Sequence, residues 1–330
     1  KNYIKMKNLL LTLLLLAATG IHAANKYDNP DTLFVSRDGT CEFRNIDDAI
    51  EVCRAFMDYH KVIFVKKGIY KEKLIIPSWL THIEICGEDR NQTIITYDDH
   101  ANIKRLDNGR PMGTFRTYTL KIEGSDITLR NITIENNAAR LGQAVALHTE
   151  GDRIAFVNCR FLGNQDTVYT GVGGTRLYFL GCYIEGTTDF IFGPSTAWFE
   201  DCTIFSKADS YITAASTPAA QAFGYVFNHC RLTAASEVDK VYLGRPWRPY
   251  AYTLFMDCDL GQHIRPEGWH NWGKTSNEQT ARYMEYDNRG PGASTAGRAP
   301  WSRQLTKKEA AKITLATVFG SDRSWIPASR

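Results

Sequence analysis

The sequence predicts an all-β fold, a right-handed parallel β-helix with short terminal helices, from a cysteine repeat, short alternating strands and scarce helical periodicity. Five of the eight cysteines recur at intervals of 20–28 residues: Cys159, Cys182, Cys202, Cys230 and Cys258. A repeat of this length made of strands indicates a solenoid with one coil per repeat. A β-sandwich or a propeller also has recurring strands, but a propeller blade needs about 40–45 residues.

Residues 1–24 are predicted to be a cleaved signal peptide. Lys5 and Lys7 precede an apolar run over residues 9–18, and small residues follow near Ala23. The run is shorter than the about 20 apolar residues that a membrane-spanning helix needs. We therefore expect an exported protein, secreted or periplasmic, whose residues 25–330 form a single domain.

The remaining elements follow in chain order. Only residues 46–58 and 307–319 have the periodicity of amphipathic helices. Short alternating runs predict strands at residues 62–65, 83–86, 93–97, 120–122, 127–129 and 132–134. Each repeating cysteine follows a polar or small residue and precedes, by two positions, a large apolar one, so that cysteine and apolar residue should face the same interior. We expect the five cysteines to stack there, buried and reduced, whereas a Cys41–Cys53 disulfide is left open.

Composition narrows the function classes. The chain has 330 residues, of which 43% are hydrophobic and 23% charged, and these fractions exclude disorder as a description of the whole chain. The 39 basic and 36 acidic residues give a net charge of +3, but the three excess cations all lie within residues 1–24. A neutral mature chain disfavours binding to nucleic acid or to an anionic membrane.

The repeat also aligns carboxylates. Asp166, Asp189 and Asp209 each stand seven residues after a repeating cysteine. Equivalent positions on successive coils lie about 4.7–4.9 Å apart, so one of these pKa values should rise while an ion-paired neighbour stays low. A protonated acid beside a carboxylate suits acid–base and nucleophilic catalysis. The spacing alone fits equally a solvated aspartate ladder, with or without Ca²⁺.

Five phrases resemble, in order, those of the pectin methylesterases (pectinesterases), carbohydrate esterases with a right-handed β-helix. The phrases are GIYKE at 68–72, GQAVAL at 142–147, GNQDTVY at 163–169, DFIFG at 189–193 and YLGRPW at 242–247. Departures from the family pattern at His148, Asn164 and Thr188 remove no catalytic group.

The resemblance implies a role for each polar residue of these phrases. Asp189 is the nucleophile toward the C6 methyl ester of galacturonate, and Asp166 is the proton donor and later the base. Gln165 and Gln143 stabilise the oxyanion, and Arg245 pairs with Asp189. Gln143 and Arg245 also contact the substrate. The resemblance implies no metal and no organic cofactor.

Further substrate contacts are predicted mainly for aromatic residues. The resemblance assigns Trp247 to the cleft and Thr119 to a substrate contact. Tyr169, Phe190, Trp269 and Trp272 could stack on sugar rings, or could belong to the core or the cleft wall, and Phe192 is assigned to the core. The expected partner is methyl-esterified homogalacturonan, bound by a monomer.

Other classes of function make different products. A polygalacturonase or a pectate lyase could share the β-helix, as could a non-catalytic polysaccharide-binding protein. No serine-esterase spacing such as Gly-x-Ser-x-Gly is present. Release of methanol, of unsaturated product or of shorter chains from pectin distinguishes these alternatives.

Overall fold

The predicted repeat is confirmed as the coils of a right-handed parallel β-helix. A computed structural model describes residues 25–327 and arranges their strands in three parallel sheets of eleven, eight and seven strands, here called sheets A, B and C. The predicted signal peptide lies outside the described residues and stays a prediction. None of the described helices has the length and apolar character needed to cross a membrane.

The strands are short, as the alternating runs predicted. In chain order they are β1 (Leu33–Val35), β2 (Lys61–Val65), β3 (Gly68–Lys71), β4 (Leu74–Ile76), β5 (Ile83–Gly87), β6 (Thr93–Tyr97), β7 (Leu120–Ile122), β8 (Ile127–Arg130), β9 (Thr133–Asn136), β10 (Leu147–Thr149), β11 (Ile154–Val157), β12 (Arg160–Leu162), β13 (Val168–Thr170), β14 (Arg176–Leu180), β15 (Tyr183–Gly186), β16 (Ile191–Gly193), β17 (Thr196–Glu200), β18 (Thr203–Ser206), β19 (Tyr211–Ala215), β20 (Tyr225–Asn228), β21 (Arg231–Ala234), β22 (Tyr242–Gly244), β23 (Tyr252–Met256), β24 (Asp259–Leu260), β25 (Arg282–Tyr286) and β26 (Arg303–Gln304).

Each central coil takes one strand from each sheet in turn. Strands β11, β12 and β13 form one coil, and β14 to β16 and β17 to β19 form the next two. Sheet A runs β1-β2-β5-β8-β11-β14-β17-β20-β23-β25-β26, sheet B runs β3-β6-β9-β12-β15-β18-β21-β24, and sheet C runs β4-β7-β10-β13-β16-β19-β22. The apolar core fills the space enclosed by the three sheets.

The five repeating cysteines stack at the corner where sheet A turns into sheet B, here called the cysteine corner. All five are free thiols with at most 1% exposure, which confirms the expected burial on successive coils. The residue before each has a positive φ of 51–61°, and these residues are Asn158, Gly181, Asp201, His229 and Asp257. This left-handed conformation favours glycine, asparagine and aspartate, which explains the polar or small residue of each phrase. The cysteines therefore lie at a turn between strands, not within strands.

A stack of phenylalanines runs beside the cysteines, one ring three residues before each thiol. It consists of Phe156, Phe179, Phe199, Phe227 and Phe255, with ring centroids 4.3–4.5 Å apart. All five rings are fully buried. The stack shares the period of the cysteines, and the sequence expectations did not include it.

The predicted helices are shorter than their periodicity suggested. Helix α1 (Ile46–Glu51) covers the first coils with Ile46, Ala49 and Ile50, and Phe56 beyond it has a left-handed φ of 54° that a helix cannot contain. The predicted helix over 307–319 is split into α2 (Lys307–Ala310) and α3 (Leu315–Phe319), because Thr314 forms a second capping box. Two 3₁₀ helices, Thr114–Arg116 and Thr275–Gln279, complete the helical elements of residues 25–327. Cys41 and Cys53 are not joined by a disulfide.

Candidate active site

Sheet C brings Asp166 and Asp189 side by side on adjacent coils. Val168 of β13 pairs with Ile191 of β16, and each aspartate stands two residues before its strand. Both aspartates are left-handed, with φ of 67° and 49°, and the backbone N–H of Asp166 donates to Thr188 O at 3.1 Å. The two carboxyl groups therefore leave the coils at the same edge of sheet C, here called the catalytic edge.

The third aspartate of the predicted column is not part of it. The register of β16 and β19 puts Tyr211, not Asp209, next to Asp189. Gly186 pairs with Ser206 and Ile191 pairs with Thr213, so the second of these two coils has two more residues between its paired positions. Counting seven residues from Cys202 therefore fails at this coil. The carboxylate of Asp209 accepts the backbone N–H groups of Asp239 and Lys240 at 2.9 and 3.0 Å, which is a structural role.

Arg245 binds Asp189 through both of its forked nitrogen atoms. Nε donates to Oδ1 at 2.9 Å and Nη2 donates to Oδ2 at 2.6 Å. The guanidinium carbon lies 3.8 Å from the ring centroid of Tyr211 and 3.7 Å from that of Trp272. Stacking between two rings holds the planar fork in one orientation, a contact that lysine could not make.

The two buried carboxyl groups differ in their partners. Burial, together with the neighbouring Asp189 carboxylate, raises the pKa of Asp166 well above its usual range, and the Asp166 side chain accepts no hydrogen bond from another described residue. Burial also raises the pKa of Asp189, but the hydrogen bonds and charge of Arg245 oppose that rise. The predicted rise in pKa is thus confirmed at Asp166. The expectation that the pKa of Asp189 stays low is wrong, because the effect of burial is larger than the opposing effect of Arg245. Within the pair, Asp189 is the group that ionises first.

A cavity of about 220 Å³ contains both carboxyl groups. Its other lining residues are Gln143, Gln165, Arg245, Thr114, Phe115, Phe192, Ala214, Trp247 and Trp272. The side-chain amides of Gln143 and Gln165 make no hydrogen bond with any residue between 25 and 327, so their N–H donors are free to bind a ligand. All five predicted polar residues therefore meet in one cavity.

Of the predicted aromatic substrate contacts, Trp247 lies in the cavity wall and Tyr169 lies beside it. Trp247 lines the cavity directly. Tyr169 is partly exposed beside it and packs on Phe192 and Phe115 with ring centroids 4.7 and 4.8 Å away. Phe192 is buried with 4% of its surface exposed, as the assignment to the core predicted, and it also forms part of the cavity wall.

Three predicted substrate contacts are wrong because their side chains lie in the core. Thr119 is fully buried, and its Oγ1 donates to Glu135 O at 2.8 Å. Phe190 is fully buried against Gly186, and a side chain at position 186 would collide with it. Trp269 is 2% exposed and packs on Tyr283 with ring centroids 4.4 Å apart.

Sequence reasoning missed Phe115, which reaches the cavity from the 3₁₀ helix between β6 and β7. This segment lies outside the repeat, so no register could place it. The only available signal was an aromatic residue in a long loop, and Phe115 is 47% exposed.

The described residues include one group whose ligand atoms lie close enough to hold a metal ion. It consists of Glu200 and Asp201 at the end of β17 and His229 at the end of β20, and none of them lines the catalytic cavity. The Glu200 carboxylate is already bonded by Asn228 Nδ2 at 3.0 Å and His229 Nδ1 at 2.9 Å. These contacts give the cluster a structural role.

Comparison with known proteins identifies the family to which the chain belongs. The Pectinesterase family profile matches residues 32–322. Pectinesterase 31 of Arabidopsis thaliana is 38% identical over 299 residues, which cover 88% of this chain and 94% of that protein. Two Brassica relatives named pectinesterase/pectinesterase inhibitor are about twice as long, and the match covers 52% and 53% of their lengths.

Solved structures agree. Pectin methylesterase from carrot has a TM-score of 0.83 and 31% identity, and the match covers 91% of this chain and 98% of that one. A pectin methylesterase in complex with a hexasaccharide has a TM-score of 0.78 and 28% identity, with coverages of 90% and 98%. The chain therefore belongs to the pectinesterase family of carboxylic ester hydrolases.

Proposed function

We propose that the chain is a pectin methylesterase that hydrolyses C6 methyl esters of homogalacturonan to methanol and pectate, with Asp189 and Asp166 as its reagents. One observation carries this proposal: Asp189 is bound to Arg245, while its buried neighbour Asp166 has no hydrogen-bonded cation. A carboxylate and a carboxylic acid in one cavity supply a nucleophile and a proton donor. Relatives named pectinesterase and pectin methylesterase support the substrate class.

In the first half of the reaction, a carboxylate oxygen of Asp189 attacks the ester carbonyl carbon. The carbonyl electron pair moves to oxygen, where the free amide N–H groups of Gln143 and Gln165 stabilise the negative charge. When the bond to the methoxy oxygen breaks, Asp166 gives its proton to that oxygen. Methanol leaves, and an anhydride joins Asp189 to the galacturonate.

In the second half, water opens the anhydride. The oxygen of the water molecule attacks the carbonyl carbon of the sugar, and Asp166, now a carboxylate, takes a proton from that water molecule. Asp189 departs as a carboxylate stabilised by Arg245, and Asp166 is again protonated. Each group thus returns to the state in which the cycle began.

A polymer substrate fits the surroundings of the carboxyl groups. Tyr169, Trp247 and Trp272 offer ring faces on which sugar rings can stack. The predicted signal peptide fits an enzyme that is exported to reach a cell-wall polymer. We propose a monomer, which size-exclusion chromatography with light scattering would test.

The overall reaction is tested by product analysis with highly methyl-esterified pectin. Methanol release without shortening of the polymer and without unsaturated product is the expected result. Unsaturated product would indicate a lyase and shorter chains a polygalacturonase. Binding without any product would indicate a polysaccharide-binding protein.

The covalent step is tested by adding hydroxylamine during turnover. Hydroxylamine can attack either carbonyl of the anhydride, and attack at the aspartyl carbonyl leaves a hydroxamate on the peptide that contains Asp189, which mass spectrometry should find. The same peptide from enzyme incubated without pectin is the control. Methanol release at a normal rate with a hydroxamate on pectin alone and none on Asp189 would count against a bond between Asp189 and the substrate.

A further inference from the structure

His270 lies next to the cation of the catalytic edge, although it does not line the catalytic cavity. Gly244, at the end of β22, forms a parallel bridge with Trp269, and the backbone N–H of His270 donates to Gly244 O at 3.1 Å. The next positions along the two paired segments are Arg245 and His270. The histidine therefore occupies the coil directly after Arg245, which binds Asp189.

The imidazole ring of His270 packs on two stacked tyrosine rings. Its centroid lies 5.3 Å from that of Tyr211 and 5.3 Å from that of Tyr242. The two tyrosine rings are themselves stacked with their centroids 5.3 Å apart. Tyr211 is one of the two rings that enclose the guanidinium group of Arg245. One face of that guanidinium thus rests on the ring cluster to which His270 belongs.

His270 also holds the second ring, that of Trp272. The Nδ1 atom of His270 accepts the backbone N–H of Trp272 at 3.0 Å, and this N–H donates to no other group among residues 25–327. Trp272 has a left-handed φ of 63°, which is unfavourable for a bulky side chain. An acceptor on the side chain two residues earlier stabilises such a turn, as asparagine and aspartate commonly do. The hydrogen bond thus holds the backbone that places the indole over Arg245.

This contact requires a neutral imidazole that carries its proton on Nε2. A backbone N–H can only donate, so Nδ1 must be unprotonated. Burial and the charges of Arg245 and Arg265 lower the pKa of His270. The other groups packed against the ring are the phenols of Tyr211 and Tyr242, and no carboxylate of the described residues forms an ion pair with it. A second proton on the ring would face the N–H that Nδ1 now accepts, and it would release the turn.

We propose that His270 is a positioning residue for the esterase reaction, because it holds Trp272 over Arg245. The orientation of Arg245 in turn fixes its fork on Asp189. The inference therefore rests on the proposed function, in which Asp189 attacks as a carboxylate. His270 does not line the cavity, so it acts only through its neighbours. Protonation of His270 in acid then lowers the rate in addition to protonation of Asp189.

Two substitutions of His270 separate its hydrogen bond from the packing of its ring. His270→Phe keeps a flat ring against the tyrosines but has no acceptor, so kcat should fall by about tenfold or more, because a group fixed beside the nucleophile is displaced. In His270→Asn, the side-chain oxygen can accept the same N–H, and kcat at neutral pH should stay within about twofold of the wild type. Full activity of His270→Phe, or an equal loss in both variants, would overturn the proposal.

The acid limb of the pH–rate profile tests the effect of protonation. Asparagine does not titrate, so the fall of kcat in acid should be less steep in His270→Asn than in the wild type. His229→Asn is the matched control, since it makes the same substitution at an exposed histidine of the cysteine corner and should keep the wild-type limb. Recovery of activity on return to neutral pH excludes unfolding as the cause. Equal steepness in the wild type and His270→Asn would contradict the proposed role.

NMR spectroscopy of the resting enzyme separates this proposal from the proposed function. With ¹⁵N-labelled histidine, the signals of His270 are those that disappear in His270→Asn. At neutral pH they should show a neutral ring with an unprotonated Nδ1, and a proton on Nδ1 would overturn the proposal. This measurement needs no pectin. If the wild-type enzyme released no methanol from pectin, the proposed function would fail even where the spectrum showed the expected tautomer.

Discussion

The cysteine corner and the catalytic edge use the same backbone conformation for opposite purposes. At the cysteine corner, left-handed residues such as Asn158 and Asp201 are exposed, and the turn aims the next side chain into the core. At the catalytic edge, the left-handed residues Asp166 and Asp189 are themselves buried, with 8% and 6% exposure. The same left-handed turn thus occurs at both places. At the catalytic edge the turn residue itself is buried, and this burial makes the two aspartates reactive.

The two regions also differ in how strictly the repeat holds. The cysteine corner keeps its register over five coils, whereas the catalytic edge changes from aspartate to tyrosine at Tyr211, where the coil has two more residues between its paired positions. Tyr211 then stacks on Arg245, so the interruption of the aspartate column creates the cation site for Asp189. The coils of regular register form the scaffold, and the change of register at Tyr211 supplies the ring that holds Arg245 beside Asp189.

The largest expected effect is loss of turnover at the catalytic edge. Asp189→Ala and Asp166→Ala should each lower kcat by about 10⁴-fold or more, because each removes an obligatory reagent. Methanol release measures this loss, and circular dichroism should show an unchanged β-helix. Asp209→Ala is the control, since that aspartate lies outside the column and should keep most activity. Substantial turnover in either catalytic variant would contradict the assigned roles.

A large effect on stability, with little on chemistry, is expected inside the β-helix. Phe199→Ala should lower the free energy of unfolding by about 3–5 kcal/mol, because it removes a fully buried ring from the middle of the phenylalanine stack. Phe205→Ala is the matched control, since Phe205 is partly exposed on the outer face of β18. Denaturant unfolding should separate the two variants by at least about 2 kcal/mol. Equal losses would mean that the buried, stacked ring of Phe199 stabilises the fold no more than the partly exposed ring of Phe205.

The same contrast explains what the sequence could predict. The cysteine phrases repeat, so period and alternation located the coils and the interior. Phe190 was misplaced because it directly follows the left-handed turn at Asp189, where the alternation of a strand does not apply, and its side chain is fully buried. Trp269 was misplaced because the last coils have no repeat to count from, and Phe115 was missed because its loop lies outside the coils. The catalytic residues came from the family resemblance, since their spacing alone fitted a solvated ladder as well.

An intermediate effect is expected from the cation of the catalytic edge. Arg245→Lys keeps the charge but loses the bidentate fork and the stacking on two rings, so kcat/KM should fall by about 10²-fold, and further in Arg245→Ala. Arg245 opposes the rise of the Asp189 pKa, so this pKa should rise further in the alanine variant. Asp189 must be ionised to attack, and the acid limb of the pH–rate profile should therefore move to higher pH. An unshifted acid limb together with a much lower Tm would indicate that Arg245 only supports the turn.

The smallest expected effect tests whether the two regions are independent. Cys202 is 1% exposed, and its Sγ donates to Glu200 O at 3.3 Å and to Phe179 O at 3.6 Å. A buried free cysteine behaves as a small apolar side chain, so Cys202→Ala should cost about 1 kcal/mol of unfolding free energy for the lost sulfur atom. Its kcat should equal that of the wild type, because the cysteine corner contributes no atom to the catalytic cavity. Denaturant unfolding and methanol release, measured on the same preparation, check both expectations. Reduced kcat at unchanged stability would show that packing at the cysteine corner adjusts the position of the aspartates, and the scaffold and the chemistry could then no longer be treated as separate parts of the coil.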